Sequence, residues 1–289
     1  MNQPNLEDPS SENQRSSVVS AAELFEYLND DRVVIIDCRF DLAQPQLGRW
    51  HYQTSHIPGA FYLDLNQDLS GPVQRHGGRH PLPEPEQLAA KLETIGVRSG
   101  NGQSATWVIA YDDSRFAFAA RLWWLLRFLG HDRVAVLDGG FAGWQAAGYP
   151  VTSEASHPKT NPGTFVPRIQ SNWVVDRETV KTQKDKLEIA LIDSREAERY
   201  RGEREPIDPV AGHISGAMNY PWTEVTNSQG YLCPSSVQKQ RWASLAGIQE
   251  IIVYCGSGVT ACVNLLSLEM AGQNGKLYAG SWSDWCSYL

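Results

Sequence analysis

Ile35-Ile-Asp-Cys-Arg39 in the first half of the chain returns as Leu191-Ile-Asp-Ser-Arg195 in the second. Outward from this pair the matches continue in the same order. His56-Ile-Pro-Gly-Ala60 pairs with His213-Ile-Ser-Gly-Ala217, and Ile109-Ala-Tyr-Asp112 with Ile252-Val-Tyr-Cys255. Leu137-Asp-Gly139 and Trp144 pair with Tyr278-Ala-Gly280 and Trp285. Ordered self-similarity of this kind marks an internal duplication. Val33-Val-Ile-Ile36 is a continuous apolar run of strand length, as expected of a strand buried on both faces. The pattern predicts strands over 107–111 and 133–137 and helices over 83–95, 115–129 and 140–147. Ser20-Ala-Ala-Glu23 reads as a capping box opening a helix that ends near Asp30. The second half predicts strands over 188–192, 251–254 and 276–278. It predicts helices over 236–246 and 259–271, with Asp176 capping a helix into residues 181–186. Strands alternating with helices imply right-handed crossovers and an α/β fold: two tandem copies of one domain, each a mainly parallel sheet flanked by helices. The expected boundaries are a mobile tail over 1–17, a first domain over 18–150, a linker over 151–172 and a second domain over 173–289. The linker is marked by His-Pro, Asn-Pro-Gly and Val-Pro steps without periodic pattern.

A length of 289 residues accommodates two domains, and ten Trp, eleven Tyr and eight Phe exclude intrinsic disorder. A formal charge of −8 without a basic block argues against nucleic acid or an anionic membrane as partner. No apolar run approaches the roughly 18 residues of a membrane span. The polar, acidic start lacks the regions of a signal peptide, so the expected location is cytoplasmic. Cys38, Cys233, Cys255, Cys262 and Cys286 are odd in number and scattered, which fits neither a disulfide framework nor a metal site. No metal or other cofactor is expected, and the question becomes which thiol reacts.

Ligands of open α/β sheets bind beyond the carboxyl ends of the strands. The duplication places Asp112 there in one half and Cys255 in the other. After Cys255 comes Gly-Ser-Gly-Val-Thr260 and then a helix. Gly256 and Gly258 let the chain turn so that backbone N–H groups, Val259 included, face the sulfur, and the helix adds its positive end. Such a loop favours a reactive thiolate. Cys262, inside the helical pattern, reads as core. A cysteine phosphatase would need an arginine where Ala261 stands, and no arginine follows Cys255.

The loop resembles that of the rhodanese-type sulfurtransferases, and the resemblance runs from Ser20 to the end of the chain. It is carried by both histidine turns, Arg199-Tyr-Arg-Gly202, Cys255-Gly-Ser-Gly-Val-Thr-Ala261 and Gly280-Ser-Trp-Ser-Asp-Trp285. It implies one fold in both halves with catalysis in the second alone. The neutral loop is similar to that of 3-mercaptopyruvate sulfurtransferases, whereas thiosulfate sulfurtransferases carry basic residues there. The implied reaction is a ping-pong transfer of sulfane sulfur from 3-mercaptopyruvate through a Cys255 persulfide to a thiol, cyanide or a thioredoxin-like acceptor. Thiosulfate as donor is the alternative, and a non-enzymatic persulfide carrier or redox sensor the reading from another class. The resemblance makes Ser257 a proton-handling hydroxyl, Arg199 the residue for the donor carboxylate and His56 a relay. Thr260 either reaches into the loop or caps the helix. A second substrate arginine is expected where this chain has Asp208, and Arg204 is the candidate to replace it.

Overall fold

The computed structural model describes residues 16–100, 104–157 and 162–289. The first half forms a parallel sheet from β1 (Val18–Val19), β2 (Val33–Asp37), β3 (Phe61–Tyr62), β4 (Trp107–Tyr111) and β5 (Val134–Leu137), in the order β1-β5-β4-β2-β3. The second half repeats it with β6 (Val174–Val175), β7 (Ile189–Asp193), β8 (Met218–Asn219), β9 (Glu250–Tyr254) and β10 (Lys276–Tyr278), ordered β6-β10-β9-β7-β8. The repeat read from the sequence is therefore a repeat of topology. In the shared register, Asp37 lies beside Tyr111 and Asp193 beside Tyr254, so both copies align the carboxyl ends of their central strands.

Helices cover both faces, which is why β2 and β4 are buried along their whole length. The first half carries α1 (Ala21–Glu26), α2 (Gln46–Thr54), α3 (Pro85–Thr94), α4 (Ala119–Phe128) and α5 (Gly140–Ala146). The second carries α6 (Arg177–Gln183), α7 (Ala197–Tyr200), α8 (Ser235–Trp242), α9 (Ala261–Met270) and α10 (Ser281–Trp285). Ser20 Oγ accepts from Glu23 N at 3.2 Å and Asp176 Oδ1 from Thr179 N at 2.8 Å, as the two caps predict. The first helix stops at Glu26 rather than near Asp30, because Asp30 turns back to accept from Arg32 N at 2.8 Å. The helix expected from residue 115 begins only at Ala119. Arg115 and Phe116 adopt left-handed φ of 58° and 70° while the chain wraps around Asp112.

Of the tail expected over 1–17, residues 1–15 lie outside the described residues. Ser17 already supplies a carbonyl to Val136 N at 2.9 Å, and β1 follows. Within the expected linker, residues 158–161 lie outside the described residues. Phe165 is buried, and its N–H donates to Glu93 Oε1 at 2.8 Å. The halves meet where α4 packs on α9. One hydrophobic cluster runs across that contact, holding Leu122 and Trp124 of one half with Leu265 and Leu266 of the other. No helix among the described residues is long and apolar enough to cross a membrane.

Candidate active site

Residues shared by both halves turn out to build the fold. Arg39 pairs with Asp37 at 2.6 Å and donates to Ser55 O, while Arg195 pairs with Asp193 at 2.6 Å and donates to Gly212 O. His56 Nδ1 lies 2.6 Å from the Tyr52 carbonyl, its ring stacked on Tyr52, and His213 Nδ1 lies 2.7 Å from the Tyr200 carbonyl, stacked on Tyr200. His56 is thus fastened inside the first domain, away from the residues that line the cleft at Cys255, and the relay role expected of it finds no geometry there.

The difference between the halves lies at the strand ends. Asp112 follows β4 and folds its carboxylate into its own loop, accepting from the backbone N–H groups of Ser114, Phe116, Phe118 and Ala119 at 2.8–3.1 Å. Burial raises its pKa, and the N–H groups of Ala119, Ser114 and Phe118 oppose the rise. Cys255 occupies the equivalent place after β9 and is buried. Here the carbonyls face outward: Cys255 O accepts from Trp282 N at 3.0 Å, Gly256 O from Ser283 N at 2.9 Å and Gly258 O from Arg121 Nη1 at 2.9 Å. The N–H groups of Gly256, Ser257, Gly258, Val259 and Thr260 take no acceptor among the described residues. One copy thus occupies its loop amides with an internal carboxylate, and the other leaves them without an acceptor beside Cys255. Gly258, at φ +75°, is required by close approach as well, since a Cβ would stand 2.3 Å from the Ala279 carbonyl. Ser281, left-handed at φ 55°, accepts the Cys255 N–H on Oγ at 3.1 Å and anchors the loop to the turn after β10.

A cleft of about 320 Å³ opens over Cys255, lined by Arg79, Arg199, Arg204, Ser257, Val259 and Thr260 among others. Ser257 is buried, and its Oγ lies 2.7 Å from His80 Nδ1. His80 comes from the first domain, on a loop latched to the second by Gly77 N–H to Asp284 Oδ1 at 2.7 Å and Arg79 N–H to Ser283 Oγ at 3.1 Å. Burial, together with Arg121 and Arg79, pulls His80 down to about 4, so it is neutral near pH 7. Thr260 stands at the start of α9 without a side-chain cap bond. The cap alternative is therefore not realised. Arg199 is buried and bonds Glu205 at 2.7 Å and Asp208 at 3.2 Å. Arg204 instead pairs with Glu198 at 3.0 Å on the surface, its side chain more than half exposed. Cys262 is buried in α9, and burial pushes its thiol up to about 12, in keeping with a core residue.

His80 and Arg79 belong to Gly77-Gly-Arg-His80, a basic loop that the sequence marks out as a candidate lining of the interdomain cleft without giving either side chain a role. The relay role of His56 came from the family resemblance alone, and its echo at His213 already pointed to a fold role. Gly77-Gly-Arg-His80, by contrast, has no counterpart in the second half.

With this geometry in hand, comparison with known proteins places the chain. The rhodanese-like domain model matches residues 20–147 and again 176–288. A Pseudomonas aeruginosa protein named "Probable 3-mercaptopyruvate sulfurtransferase" is 44% identical over 276 residues, covering 93% of this chain and 95% of that one. "Thiosulfate/3-mercaptopyruvate sulfurtransferase 2" of Arabidopsis thaliana is 32% identical, covering 93% and 84%. The solved structure of SseA from Escherichia coli, described as a 3-mercaptopyruvate sulfotransferase of "rhodanese" fold, superimposes with a TM-score of 0.78 at 33% identity, covering 93% of this chain and all of that one. Two sheets of one topology, one closed over Asp112 and one open at Cys255, are two rhodanese-like domains, and the chain belongs to that family.

Proposed function

We propose that the protein is a sulfurtransferase that takes sulfur from 3-mercaptopyruvate onto Cys255 and passes it to a thiol, cyanide or a thioredoxin-like acceptor. The observation that carries this reading is the Cys255 loop, with amides that take no acceptor and no basic side chain of its own, set beside the Ser257–His80 pair and the guanidiniums of Arg79 and Arg199. The Cys255 thiolate attacks the donor sulfur. The S–S bond forms as the donor C–S bond breaks, and its electron pair leaves as the enolate of pyruvate. A proton delivered through Ser257 and the neutral His80 completes pyruvate. The persulfide left on Cys255 is an anion when deprotonated, and the backbone N–H groups of residues 256–260 stabilise it without quenching it. Attack of an acceptor thiolate on the outer sulfur returns the Cys255 thiolate, so no external oxidant or reductant is needed. The thiols suit a reducing compartment such as the cytoplasm.

Steady-state transfer to cyanide, with 3-mercaptopyruvate and thiosulfate as alternative donors, tests the reading. The expected result is a preference for 3-mercaptopyruvate by at least tenfold in kcat/KM, with transfer abolished in Cys255→Ser. A preference for thiosulfate would favour the other donor, and turnover by Cys255→Ser would place the chemistry elsewhere.

A further inference from the structure

Resting on that reading, we infer that Arg121 of the first domain is a positioning residue of the sulfur transfer: it holds the Cys255 loop by the Gly258 carbonyl and supplies the fixed positive charge that the anion on Cys255 balances. Arg121 stands in the first turn of α4 and is fully buried. Its Nη1 donates to Gly258 O at 2.9 Å, and its Nη2 to His80 O at 3.1 Å and Pro81 O at 3.3 Å. One guanidinium thus ties the loop after the nucleophile to the residue whose ring bonds Ser257. These acceptors are neutral, and no carboxylate pairs with Arg121 among the described residues. A guanidinium keeps its proton, so a buried one without a counter-ion is costly unless an anion forms nearby. Burial lowers its pKa, and the sulfurs of Cys262 and Cys255 oppose that fall. Cys262, pushed up to about 12, stays a neutral thiol, which leaves Cys255 to carry the charge.

The other charges around the loop are already spent. Arg79 and Arg199 share Asp208, Arg199 and Arg195 share Glu205, and Arg195 also holds Asp193. Arg204 pairs with Glu198, and His80 is neutral. Half-buried Glu196 accepts from Trp222 Nε1 at 3.3 Å, and buried Asp284 accepts from Gly77 N–H and the Tyr278 hydroxyl. Burial raises the Cys286 thiol. Both of these carboxylates disfavour a further anion. Among these guanidiniums Arg121 alone has no carboxylate, and its burial keeps its field from being screened. The matching helix of the second half, α9, carries no arginine, so this charge comes from the domain that lacks the nucleophile.

The test reads the anion on Cys255 without a sulfur donor, as its rate of alkylation by iodoacetamide, followed at the Cys255 peptide by mass spectrometry. Arg121→Gln keeps amide donors for the carbonyls and removes the charge. At pH 6.5 it should slow alkylation by about tenfold or more, while at pH 10, above the usual thiol range, the rate stays within about twofold of wild type. Arg121→Lys restores the charge and should recover most of the loss at pH 6.5. Persulfide formation from subsaturating 3-mercaptopyruvate at pH 6.5 should follow the same order. Equal losses at both pH values, or in both variants, would reduce Arg121 to a tether of the loop, and unchanged rates would remove it from the site; each overturns the inference. The wild-type protein supplies a measurement that needs no variant to fold. Because the charge is buried, its alkylation at pH 6.5 should change by less than about twofold between about 0.05 and 1 M salt. A fall of about tenfold would assign the anion to exposed charges of the cleft instead. Failure of the parent reading looks different, because the wild-type protein would then gain no sulfur from 3-mercaptopyruvate, whatever its alkylation rates.

Discussion

Cys255 and Asp112 hold equivalent places, and the chemistry of the two halves follows from what each side chain does to the amides around it. The Asp112 carboxylate consumes four backbone donors and leaves its loop inert. A thiol bonds amides weakly, so the Cys255 loop leaves them free for the anion that the proposed sulfur transfer would form there. His80 belongs to the same scale. It is held at about 4, and buried His131 is also held at about 4. The unfolded chain protonates both near 6.5, so unfolding takes up protons between about pH 6.5 and 4. Stability should therefore fall as pH drops through that window, by roughly 3 kcal/mol per histidine. Urea unfolding at pH 7 and pH 5 measures this, and His80→Gln should flatten about half of the slope. A pH-independent midpoint would show that neither histidine is shielded from protonation.

At the scale of elements, β9, its loop and α9 form one unit whose geometry is dictated by glycine. Gly258→Ala forces a Cβ against the Ala279 carbonyl at left-handed φ, so the loop must shift away from β10. The expected cost is about 1–3 kcal/mol with loss of most sulfur transfer. Gly272, at the far end of α9, has φ +78° but open space around its Cβ position. Gly272→Ala should cost only about 1 kcal/mol and keep activity. Thermal unfolding and steady-state assays of both variants separate strain at the loop from strain in general. Equal activity in the two would mean that the loop tolerates displacement.

The whole molecule joins its halves through side chains that reach across as well as through the shared core. Arg115 donates to Thr226 Oγ1 at 2.7 Å and to Thr226 O at 3.0 Å, Asp138 accepts from Leu232 N at 2.8 Å, and Arg127 pairs with Glu269. With α4 and α9 in one hydrophobic cluster, neither half can unfold without exposing apolar surface of the other. Calorimetry should thus show a single transition whose calorimetric and van't Hoff enthalpies agree. Two resolved transitions would mean that the interface is weaker than its burial suggests. Sulfur transfer should disappear with that same transition, because His80 and Arg79 reach Cys255 only when the halves are joined.

The duplication, the α/β class, most central strands and the loop at Cys255 were legible in the chain itself, because each rests on local pattern: continuous apolar runs, capping residues, and glycines after a strand. The short edge strands β3 and β8 were not, since two residues carry no periodicity, and neither was the late start of α4, which Asp112 imposes by drawing four amides onto itself. The partners of Cys255 from the other half were also hidden. His80 lies 177 positions from Ser257, and Arg79 129 from Asp208. Spacing along a chain says nothing about groups that far apart. Local sequence determined which thiol is followed by a glycine loop with unspent amides; only the packing of one domain on the other decided which histidine and which arginine of the first domain stand beside it.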